Sequence, residues 1–181
     1  MVNIYKLKLT CLQQDILRLL FKRTGKNLNI NNIAKALDVS QPAVAKALPF
    51  LSKNYLIDVN KDKESKRFSI SLKKDDPEIL GLKRADNLKQ LYESGLVKFL
   101  HDSFQGATII LFGSYAFGED IFSSDIDIAV IGIKEKEIYI ENFENILERK
   151  IFLHFFKDWK IDKHLKANIL NGIILAGSVE S

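Results

Sequence analysis

The first half of the chain carries apolar residues at helical spacing. In residues 10–24, four apolar side chains fall on one helical face: Leu12, Ile16, Leu19 and Leu20. Thr10 is suited to cap this helix at its N-terminus. Two shorter helical patterns follow, the first with an expected cap at Asn31 or Asn32 and the second with Ser40 as its cap. The pattern therefore predicts three helices within the first 55 residues.

The second and third predicted helices resemble a helix-turn-helix. Ala34 is small enough for two helices to cross closely, Val39 fills the turn, and Val44 anchors the following helix. Asp38 stands where the motif usually has glycine, and aspartate tolerates a left-handed backbone better than most residues. Pro49 falls inside the third helix, where we expect it to kink or shorten the helix because it removes one helical hydrogen bond.

A hairpin is predicted after the third helix. Phe68, Ile70 and Leu72 alternate as in a strand, and the polar residues 60–65 suit a hairpin tip. Such a hairpin resembles the wing of a winged helix-turn-helix, which implies DNA binding through residues 1–75. The candidate DNA-binding residues are Gln41, Ala45, Lys46, Lys61, Lys63, Lys66 and Arg67. The alternative is a small helical module that pairs with another protein chain.

The apolar pattern over residues 76–104 predicts a long connecting helix. Gly81 and Gly95 interrupt this pattern, since glycine is unfavourable inside helices. The helix either packs on both domains, packs on a second copy of itself, or serves only as a spacer. The chain then reads as two domains, residues 1–75 and 105–181, with the helix between them.

Charge supports a division into two parts with different partners. Residues 1–75 carry a net charge of +9, and residues 76–181 carry −5. A basic first half has the sign needed for phosphate contacts. The only cysteine, Cys11, excludes a disulfide framework, and the sequence shows neither a signal peptide nor a membrane-spanning run. We therefore expect a cytoplasmic protein with no membrane partner.

Candidate chemistry lies in the second half. Residues 107–112 form a continuous apolar run that predicts a buried strand, and it ends in Gly113 and Ser114, which suit a phosphate. Ser124 precedes a second strand and is a further candidate for nucleotide binding. Asp125 and Asp127 project from one face of that strand, and two carboxylates so placed suit Mg²⁺.

A Gly-Ser pair followed ten residues later by Asp-x-Asp resembles the nucleotidyltransferase superfamily, which includes DNA polymerase beta and the minimal nucleotidyltransferases of prokaryotes. The closing segment 167–177 resembles that family's last helix and strand. Together with a winged helix-turn-helix, the chain looks like a group of archaeal two-domain proteins. The resemblance implies an α/β (α+β) fold with a mixed sheet flanked by helices. It also implies that Gly113 and Ser114 hold phosphates of a nucleoside triphosphate, expected to be ATP, and that Asp125 and Asp127 hold Mg²⁺ as catalytic residues.

The resemblance leaves one position unmatched. Members of the family carry a third carboxylate on the next strand, predicted here over residues 149–156, and Phe152 stands at that position. His154 shares its face and is either a base or, as we favour, a packed histidine. Glu119 and Asp120 precede the Asp-x-Asp motif and could approach the metal instead, and Asp158 and Asp162 could fold back to it.

Three functional interpretations remain open. The first, which we favour as the class of activity, is Mg²⁺-dependent transfer of a nucleoside monophosphate to a hydroxyl of a protein or nucleic acid. The second is a nucleotide-sensing, catalytically impaired DNA-binding regulator, which the absent carboxylate favours. The third is an interaction protein of the antitoxin type that pairs with a toxin. A homodimer is expected because helix-turn-helix proteins usually read two half-sites.

Overall fold

The computed structural model describes residues 8–61 and 68–179. The chain divides into two compact units, Met1–Ile79 and Leu80–Ser181. Each unit has a hydrophobic core of its own. Among the described residues, no helix is both long and apolar enough to cross a membrane.

The first unit has the elements of a winged helix. Its three helices and its two-stranded antiparallel hairpin are α1 (Cys11–Lys22), α2 (Ile30–Leu37), α3 (Gln41–Lys53), β1 (Ile57–Lys61) and β2 (Phe68–Leu72). Thr10 and Gln13 form a capping box at the start of α1, which confirms the predicted cap, and Ser40 caps α3 as expected. Asn29, and not Asn31 or Asn32, caps α2.

The core of the first unit follows the predicted helix-turn-helix. Ile16, Ile33, Val44 and Leu51 are fully buried together with Ile70 from the hairpin. The turn between α2 and α3 contains Asp38 with φ +51° and ψ +48°, which is the left-handed conformation expected there. The interpretation as a helix-turn-helix with a wing is therefore confirmed at the level of fold.

The expected effect of Pro49 on helix length is wrong. Helix α3 continues through Pro49 to Lys53. Pro49 and Ala45, whose carbonyl loses its helical partner, are both exposed, so water can hydrate that carbonyl. Leu48 and Leu51 are buried on either side and hold both halves of the helix against the core.

The single connecting helix predicted over residues 76–104 is two helices. Helix α4 spans Pro77–Glu93 and α5 spans Leu96–Ser103. Gly95 separates them with φ +81°, a left-handed conformation that interrupts the helical backbone. Helix α5 is buried in the core of the second unit, so it is an integral part of that unit and no spacer.

The second unit contains a four-stranded mixed sheet flanked by helices, as predicted. Its strands and its remaining helices are β3 (Thr108–Phe112), α6 (Gly113–Phe117), β4 (Ile126–Ile131), α7 (Glu141–Leu147), β5 (Ile151–Phe156), α8 (Lys163–Leu170) and β6 (Ile173–Ala176). The strand order is β5-β4-β3-β6. Strand β4 is parallel to β5 and antiparallel to β3, which is also antiparallel to β6.

Alternate residues of the central strands supply two cores. Ile126, Ile128 and Val130 lie in the larger core together with residues of α5 and α7. Ala129 and Ile131 lie in the smaller core, with Leu165 and Ile169 of α8 packed there. Asp127 lies near the beginning of β4, two residues before Ala129. Because residues two apart in a strand share a face, Asp127 lies on the face of the sheet that carries the smaller core.

Candidate functional site

The end of β3 brings Gly113 against Asp127. Phe112 pairs with Asp127 across the antiparallel ladder, and Gly113 follows with φ +74°. A Cβ added to Gly113 would lie 3.1 Å from Asp127 Oδ2. Any side chain at position 113 would therefore crowd this carboxylate and strain the backbone, which accounts for the glycine.

The segment that begins at Gly113 forms the short helix α6. Ser114 is half-buried in the short helix α6, and its carbonyl oxygen accepts a hydrogen bond from the Glu119 N–H at 2.9 Å. Tyr115 and Ala116 are buried beneath it. Ser114 thus lies on a well-anchored turn beside Asp127, where its predicted phosphate contact stays a prediction.

Asp125 and Ser124 lie just before β4. Asp125 is exposed, and Asp127, two residues on, has a side chain that is 32% exposed. The buried Ile126 between them fixes the start of the strand. Ser124 Oγ accepts a hydrogen bond from the Ile121 N–H at 2.9 Å and closes the preceding turn. The structure therefore gives Ser124 a role in shaping this turn, and its predicted nucleotide contact stays a prediction.

His154 is a neighbour of Asp127 that the sequence did not single out as a partner. Its Nε2 lies 2.9 Å from Asp127 Oδ1, and its ring packs edge-on against Phe112 at 5.2 Å between centroids. Because an ionised carboxylate only accepts hydrogen bonds, Nε2 carries the proton that is donated to Asp127. His154 therefore orients the carboxylate of Asp127, and with a side chain that is 38% exposed its predicted role, packing or base, stays a prediction.

The parallel pairing of β4 with β5 places Phe152 directly beside Asp127. The Phe152 side chain is 50% exposed and lies on the same face of the sheet. No carboxylate lies in β5, so this position lacks the third acidic side chain that the family resemblance leads one to expect. Asp120 does not replace it, because Asp120 is buried in ion pairs elsewhere.

The two aspartates have side chains of the kind that Mg²⁺ prefers, and the predicted Mg²⁺ stays a prediction. Asp125 and Asp127 offer carboxylate oxygens, and Mg²⁺ is commonly bound by one or two carboxylates together with phosphate oxygens and water. Within residues 8–61 and 68–179, no group of three or more histidine, cysteine, aspartate or glutamate side chains is arranged to hold a metal.

The sequence analysis missed a buried polar cluster, which contacts the loop that leads to Asp125. Its four members are all nearly inaccessible to solvent: Lys83, Asn87, Asp120 and Arg149. Asp120 Oδ1 lies 3.0 Å from Lys83 Nζ, and its Oδ2 lies 3.6 Å from an Arg149 nitrogen. The sequence did contain a signal for the burial of Lys83 and Asn87. Both lie at four-residue spacing between Ile79 and Leu91, which are buried on the same face of α4.

Burial shifts the pKa values of two groups in and beside this cluster. Burial lowers the pKa of the Lys83 ammonium below its ordinary 10.5; the charge of Arg149 acts in the same direction, and Asp120 opposes both. Burial also raises the pKa of the Tyr115 hydroxyl above its ordinary 10.0, and the negative charge of Asp120 adds to this.

The first unit exposes part of the predicted DNA-binding surface. Gln41, Ala45 and Lys46 are exposed on α3, and Gln41 donates a hydrogen bond to Asn31 Oδ1 at 3.3 Å. Lys61, at the end of β1, lies 5.5 Å from the centre of the Phe68 ring. The other predicted contacts, Lys63, Lys66 and Arg67, lie outside the described residues.

Several solved structures have partial similarity to this chain. The adhesin competence repressor AdcR from Streptococcus pyogenes is 26% identical over 57% of this chain and 72% of its own, with a TM-score of 0.43. The zinc-responsive MarR family member ZitR from Lactococcus lactis is 22% identical over 59% and 70%, with a TM-score of 0.42. MepR in the S. aureus MepR–DNA complex is 27% identical over 52% of this chain and 81% of its own, with a TM-score of 0.38. With scores this low, the winged-helix assignment comes from the helices and hairpin of this chain.

Sequence comparison identifies the second unit. No curated protein matches the chain. The family model for polymerase beta nucleotidyltransferases matches residues 95–180, a segment that begins just before α5 and contains the whole mixed sheet. This segment also contains Gly113, Asp127 and the neighbouring carboxylate Asp125. Residues 95–180 of this chain therefore form a nucleotidyltransferase domain of the polymerase beta family.

Proposed function

We propose that this protein is a DNA-binding regulator whose nucleotidyltransferase domain binds a nucleoside triphosphate, expected to be ATP, with a single Mg²⁺ ion. The observation that carries the proposal is the juxtaposition of Gly113 and Asp127, with Phe152 in place of a further carboxylate. Bound Mg²⁺ would neutralise part of the triphosphate charge. Asp125 and Asp127 would hold the ion, and Gly113 and Ser114 would hold phosphate oxygens.

The contacts around Asp127 support binding by a fixed carboxylate. His154 holds Oδ1 at 2.9 Å, and Oδ2 faces the backbone of Gly113. A carboxylate fixed by the protein loses little conformational freedom when a ligand binds, so less of the binding free energy is lost. Phe152 contributes no charge at this edge of the sheet, and for this reason we favour nucleotide binding over two-metal transfer.

DNA binding is proposed for the first unit. The exposed residues of α3 would enter the major groove, while Lys46 and Lys61 would contact phosphates. The net charge of +9 over residues 1–75 favours this partner. Two half-sites would be read by a homodimer.

Transfer of a nucleoside monophosphate is the second candidate function, and His154 is the observation that favours it. With Nε2–H donating to Asp127 Oδ1, the other ring nitrogen, Nδ1, is the one able to accept a proton. An acceptor hydroxyl would attack the α-phosphorus, and its proton would pass to Nδ1. The bond from the α-phosphorus to the bridging oxygen would break, and pyrophosphate would leave.

Calorimetric titration of Mg²⁺-ATP tests nucleotide binding. The variant Asp125→Asn/Asp127→Asn is expected to lose binding while keeping its thermal stability and its affinity for DNA. The matched control is Glu135→Gln/Glu137→Gln, which removes two exposed carboxylates at the same spacing in the same unit. Equal ATP affinity in the wild type and the double Asn variant would overturn the proposed site.

Pyrophosphate release separates the two candidates. Binding without release, in the presence of DNA and cell extract, supports the regulator. Release that disappears in His154→Gln supports transfer, since glutamine can donate to Asp127 but cannot take up a proton.

A further inference from the structure

The polar cluster on α4 is fixed to the loop that joins the two halves of the nucleotide site. Lys83 is 1% exposed, and its Nζ donates to the backbone carbonyl of Asp120 as well as pairing with the carboxylate. Asp120 belongs to residues 118–125, which connect α6 to β4. Lys83 therefore holds both the backbone and the side chain of one loop residue.

Asn87, one turn further along α4, ties the same loop to the residue after Ser114. Its Nδ2 donates to the carbonyl of Tyr115 at 3.0 Å and to Asp120 Oδ1 at 2.7 Å. Asn87 thus links the end that carries Gly113 and Ser114 to the loop that leads to Asp125.

The loop backbone also lies directly on α4. Gly118 has φ +77°, and a Cβ there would come within 2.4 Å of the Leu80 carbonyl oxygen and 2.9 Å of the Arg84 nitrogen. Only glycine permits this approach. The loop is therefore held to the helix by backbone packing as well as by the polar contacts.

Stability alone is a weak explanation for these charges. Lys83, Asp120 and Arg149 are all buried, and replacing such groups with well-packed apolar side chains is often neutral or stabilising. Hydrogen bonds are directional, so they fix the orientation of the loop backbone. The dispersion contacts of an apolar cluster would not fix it.

We propose that Lys83 is a positioning residue for the nucleotide site, acting through Asp120 to fix the loop between Ser114 and Asp125; this inference rests on the proposed nucleotide binding. Lys83 touches no predicted ligand of the nucleotide. It sets the distance between the Gly113–Ser114 turn, which would hold phosphates, and Asp125, which would hold the cation.

The test compares Lys83→Met with two controls on the same helix. Lys89→Met removes an exposed lysine, and Leu91→Ala weakens the core without a polar contact to the loop. We expect Lys83→Met to weaken Mg²⁺-ATP binding at least tenfold and to speed amide exchange over residues 118–125. Leu91→Ala should lower the melting temperature but leave the ATP dissociation constant within about twofold of the wild type at a temperature well below melting.

The outcomes separate this inference from the proposed function. Unchanged ATP affinity and unchanged amide exchange in Lys83→Met would overturn the positioning role, as would an equal loss of affinity in Leu91→Ala. If the wild type binds no Mg²⁺-ATP, the proposed function fails, and exchange over residues 118–125 alone decides whether Lys83 fixes the loop. If Lys83→Met does not fold, Asn87→Ala removes the two hydrogen bonds from α4 to Tyr115 and Asp120 without leaving a buried charge unpaired, and the same outcomes apply.

Discussion

At the residue scale, Tyr115 is a buried tyrosine whose pKa depends on the charged groups around it. Tyr115 follows Ser114 in the chain and its side chain is buried. Its backbone carbonyl accepts a hydrogen bond from the Asn87 side chain. The hydroxyl lies in a region where Asp120 already carries negative charge, so ionisation of the phenol is disfavoured twice. Deprotonation of this one residue is therefore linked to the folding of the second unit.

The linkage predicts that alkaline pH destabilises the protein through Tyr115. The pKa of Tyr115 is raised in the fold, so above pH 10 the unfolded chain loses this proton while the folded chain keeps it. Stability from this group is complete below pH 10 and falls above it, by up to about 1.4 kcal/mol per pH unit. Denaturant unfolding of the wild type and Tyr115→Phe between pH 8 and 11 measures the effect. Above pH 10 the wild type should lose stability relative to Tyr115→Phe, and a constant difference between the two would contradict the prediction.

At the element scale, α3 combines a local defect with strong tertiary anchoring. Pro49 removes one backbone hydrogen bond in the middle of a 13-residue helix. Val44, Leu48 and Leu51 nevertheless bury the inner face of the helix along its length. The core contacts therefore outweigh the cost of the proline, and the helix keeps its full extent.

Replacing Pro49 with alanine is expected to stabilise the first unit. Proline inside a helix costs about 3 kcal/mol relative to alanine, and the more flexible unfolded chain of the variant returns up to about 1 kcal/mol of this. We expect a net gain of about 2–3 kcal/mol, measured as a higher denaturation midpoint. Pro42 is the matched control, because it lies in the first turn of the same helix, where no hydrogen bond is lost, so Pro42→Ala should change stability little. Equal effects of the two substitutions would contradict this account.

At the scale of the whole molecule, charge is distributed unevenly along the chain. Residues 1–75 are strongly basic, and residues 76–181 are acidic. A basic domain attracts the phosphate backbone, and releasing counterions from DNA makes such binding steeply dependent on salt. The location of the positive charges, and not the net charge of +4, should therefore govern DNA affinity.

Reversing two exposed lysines of the first unit tests this distribution. Lys46→Glu/Lys61→Glu should weaken DNA binding at least tenfold and lower the slope of log K against log salt by about 0.9 for each lost phosphate contact. Lys134→Glu/Lys136→Glu makes the same change in net charge with exposed residues of the second unit. Fluorescence anisotropy at several salt concentrations should show little effect of this second pair. Equal losses in both variants would mean that net charge alone sets the affinity.

Much of the fold and of the motif was determined by the sequence itself. Helical and strand periodicity, the caps at Thr10 and Ser40, and the spacing from Gly113 to Asp127 depend on residues close in the chain, so a local pattern expresses them. The absence of a carboxylate from β5 is equally visible in the sequence. The first residue of α2 was not determined in this way, because three nearby asparagines can each act as its N-cap and the structure uses Asn29.

Only the tertiary structure decided which polar groups meet. The Asp127–His154 hydrogen bond joins residues 27 positions apart and depends on the parallel register of β4 with β5. The bond from Lys83 to Asp120 spans 37 positions and needs α4 packed on the loop. The residues next to a lysine or a histidine in the sequence do not show whether it will be buried against a distant carboxylate. The chain topology brings the two partners together, and the exclusion of water makes their pairing necessary.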